Sequence, residues 1–214
     1  MTGLIHKNLL AGNVSAFTII FITIVAAVAG FIVRIPDAHL VASFAISGAF
    51  ITTAMFHFHR KDDANWQMLE TTMPMKLAFI ELSRYLSFFT VLAMVLMAIA
   101  IYTLTNYLSG VISELSTAVA ALTNSFMMVS SFYFLYAAIQ FPALRFLSAK
   151  NSVAISYGCF IVTFVIFFIT VQIASRLPQT LQDIGHWPFA AGTFILLVLS
   201  YFVSVRVYRR RCST

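Results

Sequence analysis

Residues 57–86 read HFHRKDDANWQMLETTMPMKLAFIELSRYL, a charged stretch set between segments that only a lipid bilayer tolerates. Four of the chain's seven acids, Asp62, Asp63, Glu70 and Glu81, fall here beside Arg60, Lys61, Lys76 and Arg84. Most of the capacity for specific polar contact is therefore concentrated in one segment. Outward from it the chain is 61% hydrophobic and 9% charged, against roughly half and a quarter in an ordinary soluble domain. Such a composition describes a polytopic membrane protein.

A helix crossing the hydrocarbon core needs about 20 mostly apolar residues. Six stretches qualify: residues 16–35, 38–57, 85–108, 115–141, 153–174 and 189–208. The expected fold is thus all-α, one membrane domain over residues 1–214, with six spans and loops that are short except at 57–86. With both termini cytoplasmic, eleven of the cationic residues lie inside and only Arg34 and Arg176 outside, which obeys the positive-inside rule. The net charge of +6 then follows from topology. Arg209, Arg210 and Arg211 read as headgroup anchors of the last span, and no nucleic-acid partner is expected.

No cleavable signal peptide is expected at the amino terminus. Leu4, Ile5, Leu9 and Leu10 can share one face opposite His6, Lys7 and Asn8, which suits an interfacial helix leading into the first span. After Arg176, Leu177, Leu181 and Ile184 recur at helical spacing past Pro178, so a short amphipathic helix on the outer surface is expected over residues 175–187. Cys159 and Cys212 are kept apart by the topology, and no disulfide or metal site is expected of them. His57 and His59 are two residues apart and point to different helix faces, so they make no metal site either.

The charged segment has its own local physics. Asp62 suits an N-cap, Asp62 and Asp63 sit where the helix dipole favours negative charge, and Trp66, Leu69 and Met73 form an apolar stripe. Pro74 ends that helix, and residues 75–84 can form a second piece feeding the third span. Glu81 can pair with Arg84 or Tyr85 one turn on, which eases a carboxylate at the membrane boundary. In the fourth span, Thr117, Ala121 and Ser125 form a ridge of small residues suited to close packing, and Asn124 in mid-membrane either bonds a neighbouring helix or lines a path.

Asn65-Trp66, Pro74, Ile80 and Leu82-Ser83-Arg84-Tyr85-Leu86 together resemble the signature of the small six-span permeases of the ABC-2 type, a bacterial ABC transporter family. Phe141-Pro142, Leu144-Arg145-Phe146 and Lys150 are similar to that family's proline-led basic loop before span five. The chain departs from the pattern at Leu77, Ala78 and Phe79, where charges are common, at Glu81, usually aliphatic, and at Leu147, often glycine.

The resemblance implies a multi-pass subunit of the bacterial inner membrane, with a coupling helix between spans two and three that docks into a separate soluble ATPase. Asp62, Asn65, Trp66, Leu69, Glu70 and Pro74 would form that docking surface, with Arg145 and Lys150 as secondary contacts. A second permease copy or a paralogue would complete the membrane part. ATP and magnesium would be held by the partner, consistent with the absence of a G-x-x-x-x-G-K-[ST] loop here. The implied activity is export of a peptide, antimicrobial or amphipathic lipidic compound. The alternatives are a non-transporting anchor or immunity subunit of an ATPase complex and a lipid-modifying membrane enzyme, the latter disfavoured by the scatter of acids and histidines.

Overall fold

A computed structural model describes residues 77–146, 152–174, 176 and 179–212. These form four helices: α1 (Leu77–Leu108), α2 (Leu115–Phe146), α3 (Ser152–Ala174) and α4 (Gln179–Cys212). Each contains a window long and apolar enough to cross a membrane. The chain is all-α over these residues. The first two expected spans, the interfacial helix and the coupling helix lie outside the described residues.

All four expected apolar stretches fall within helices, but three helices overrun them. Helix α1 starts at Leu77 rather than at residue 85, so Glu81 and Arg84 belong to it. Helix α2 continues through Pro142 to Phe146, so most of the expected basic loop is its last turn. A proline inside a helix removes one backbone donor and costs about 3 kcal/mol in isolation. Tertiary contacts offset that cost: the Phe141 ring packs 4.5 Å from Tyr85 and 5.9 Å from Phe88, and Arg145 pairs with Glu81. Helix α4 begins at Gln179 and runs through Pro188, so the expected outer helix is the first part of one long element rather than a separate piece.

The α1–α2 connection is set by a single glycine. Gly110 has φ of 74°, the left-handed conformation that closes a helix. Its N–H donates to the Tyr107 carbonyl at 3.1 Å and the Val111 N–H to the Asn106 carbonyl at 3.0 Å, the paired bonds of a Schellman motif. A Cβ at Gly110 would meet nothing within 4 Å, so only the backbone would object. Gly110→Ala should therefore lower stability by about 1–2 kcal/mol. Gly158→Ala, inside α3 with equal space, should instead raise it; thermal melting of the two purified variants checks the opposite signs.

Helix α2 packs against each of the other three and is the centre of the bundle. Its Val129, Phe132, Tyr133 and Tyr136 meet Leu92, Val95, Ile99 and Tyr102 of α1 and Cys159 and Phe167 of α3. The rings interlock edge to face, with Phe132 centred 5.4 Å from Phe167 and Phe134 5.5 Å from Phe194 of α4. Outward, Ile161, Phe164, Phe168 and Ile173 of α3 and Ile195, Leu199 and Phe202 of α4 are exposed, as lipid-facing residues must be. Hydroxyls within the spans are satisfied by the preceding turn of their own helix. Ser87 donates to the Ser83 carbonyl at 2.8 Å, Thr103 to Ile99 at 3.0 Å and Thr163 to Cys159 at 2.7 Å.

Candidate functional site

Antiparallel threading brings the start of α1 and the ends of α2 and α4 to one end of the bundle, where Arg84, Arg145, Arg206, Arg209 and Arg210 also gather. At this basic end lies a buried polar knot. Glu81, on the second turn of α1, is 1% exposed. It forms an ion pair with Arg145 in the last turn of α2, and Arg84, one turn along α1, approaches it at 3.4 Å. The Arg145 guanidinium in turn lies over the Tyr208 ring of α4, with Cζ 4.1 Å from the centroid.

Three hydrogen bonds and one ring contact also tie α1 to α4. The Tyr85 hydroxyl shares hydrogen bonds with Ser200 at 3.0 Å and Ser204 at 3.3 Å. The Tyr201 hydroxyl donates to the Ala78 carbonyl at 3.1 Å, and the Tyr85 and Tyr201 rings meet edge to face at 5.4 Å. Gln140 of α2 donates to Ser156 of α3 at 3.2 Å. Removing two charges from water costs several kcal/mol each, so a buried carboxylate persists only where cations and donors surround it. Here Arg145 and Arg84 supply the cations, and the Tyr208 ring lies against the Arg145 guanidinium.

The sequence-predicted residues separate into two groups. Asp62, Asn65, Trp66, Leu69, Glu70, Pro74 and Lys150 lie outside the described residues. Arg145, read from sequence as a docking contact, is 8% exposed and directed inward to Glu81. Glu81 and Arg84 stand within ion-pairing distance of each other. Ser125 is buried in the bundle, whereas Asn124 beside it is exposed, with Thr117, Ala120 and Thr123 exposed on the same side of α2. The small-residue ridge is accordingly divided: Ser125 packs, Thr117 does not, and Ala121 is half-buried.

Sequence reasoning missed the Glu81–Arg145 pair and the Tyr85–Ser200–Ser204 cluster. A usable signal existed for the first. Glu81 and Arg145 carry opposite charges at the matching ends of two antiparallel helices, so they fall at one depth. Among the described residues, no group of three His, Cys, Asp or Glu side chains could hold a metal ion. The arrangement joins helix ends. A family model described as ABC-2 family transporter protein matches residues 3–209. Comparison with curated proteins and with solved structures gives no match.

Proposed function

The chain belongs to the ABC-2 transporter family, and from that premise we propose that it is the six-span permease subunit of an ATP-driven exporter whose ATPase is a separate chain. The observation that carries this reading is the family match across nearly the whole sequence. It is supported by four long apolar helices that occupy most of the chain and by a sequence with no phosphate-binding loop.

In this reading the basic end is cytoplasmic, the membrane is the bacterial inner membrane, and residues 1–76 supply the interfacial helix, two spans and the coupling helix. Trp66, Leu69 and Glu70 form the docking surface, framed by Asp62, Asn65 and Pro74, with Lys150 beside it. ATP-driven closure of two ATPase subunits pushes on this helix and tilts the spans that follow. A second permease copy or paralogue faces the exposed side of α2. Asn124 lies about 14 Å along that helix from its start, near the middle of the bilayer core, where an exposed carboxamide calls for a protein partner or a water-filled path.

The cargo class follows from the resemblance: a peptide, an antimicrobial or an amphipathic lipidic compound. Inverted membrane vesicles test the reading. Those containing the chain and its ATPase should accumulate a fluorescent amphipathic peptide in an ATP-dependent, vanadate-sensitive way, and vesicles lacking the chain should not. ATPase bound to the vesicles without accumulation of any peptide or lipid probe would favour a non-transporting anchor instead.

A further inference from the structure

We propose that Glu81 is a positioning residue that locks the cytoplasmic ends of α1, α2 and α4 into one moving unit, so that displacement of the loop before α1 is passed to all three helices. The inference rests on the permease reading, because it takes that loop to be the part an ATPase pushes. The placement of the charge supports it. Glu81 is the fifth residue of α1, about 6 Å along the helix from its first residue, Leu77. A push on residues 57–76 reaches this carboxylate before anything deeper in the span.

Its partners are also at helix ends. Arg145 is one residue from the end of α2, and Tyr208, beneath its guanidinium, is in the last turns of α4. The contact is directional in a way apolar packing is not. An ion pair buried to 1% at Glu81 and 8% at Arg145 fixes both distance and angle, and separating the charges in a low-dielectric site is costly. Apolar side chains of similar volume would fill the same space yet let the helix ends slide. Tyr85 with Ser200 and Ser204, and Tyr201 with the Ala78 carbonyl, back the joint from the α4 side.

The distinction between fixing and filling sets the test. A single Glu81→Ala change can simply unfold the protein by stranding Arg145, so the informative variant is the double replacement Glu81→Leu with Arg145→Met, which removes both charges and keeps the volume. Spin labels are placed at the exposed positions Phe79 on α1 and Phe146 on α2, with Cys159 and Cys212 changed to serine. Distances are then read in the intact complex with its ATPase, nucleotide-free and vanadate-trapped.

In the parent complex a single narrow distance should persist in both states. The double variant should melt with the parent and keep its ATPase, yet lose the single narrow distance on trapping and lose transport per ATP hydrolysed. A purely structural role predicts instead that restored melting restores the narrow distance and the coupling, and that result overturns the inference alone. A parent chain that carries no ATPase overturns the permease reading and the inference with it.

Discussion

Arg145→Ala should destabilise the described bundle by about 3 kcal/mol, the lower end of the range for removing one partner of a buried ion pair. The expected loss is large because the substitution takes the Arg145 cation from the Glu81 carboxylate, which is 1% exposed, and from the Tyr208 ring at the same time. It stays at the lower end because Arg84 remains 3.4 Å away and can draw in. The turn beyond Pro142 should fray as well, since the ion pair is among the contacts holding it. Arg145→Lys should fall between the two, keeping the charge while losing the planar fork that serves both Glu81 and the ring. Thermal melting in detergent orders the three proteins. An Arg145→Ala variant as stable as the parent would show that the knot contributes nothing.

Trp66→Ala carries the second large effect, on function rather than stability. If Trp66 anchors the coupling helix in the ATPase, its truncation should behave as the loss of an interface hot spot, worth about 2 kcal/mol or more. That corresponds to roughly thirtyfold weaker docking. Expression and melting should hold, because the residue falls outside the apolar stretches of the sequence. ATP hydrolysis should then run uncoupled from transport. Unchanged transport by this variant would remove Trp66 from the docking surface.

The contrast between these two residues shows what a sequence of this kind discloses. The spans are legible because each is a statement about solvent: residues 85–108, 115–141, 153–174 and 189–208 are apolar beyond what water permits. Their ends are less so. Hydropathy marks where the bilayer stops, whereas a helix continues as long as its polar side chains find partners. Helix α1 takes in Glu81 and Arg84, and α2 takes in Arg145, because Glu81 and Arg145 meet across the bundle and Arg84 joins Glu81 from one turn along the same helix.

Pairing across 64 positions leaves no local periodicity to read, and only matching depth in antiparallel helices hints at it. The central place of α2 is similarly hidden. Tyr133 meets Phe88 of α1, Phe132 and Tyr136 meet Phe160 of α3, and Phe134 meets Phe194 of α4, so the helix is buried on several sides and has no single apolar stripe. The two families of signal, solvent and tertiary pairing, meet at the basic end: the first gathers the cations there, and the second builds the joint among them.

A membrane subunit driven by a separate ATPase should stay bound to that ATPase through gentle purification. The most direct test is purification of the tagged chain from its native host in mild detergent, followed by mass spectrometry and an ATPase assay on the eluate. The account predicts a stoichiometric soluble ATPase with vanadate-sensitive turnover in the purified complex. A chain that emerges alone, under conditions that preserve other membrane complexes from the same cells, would contradict it.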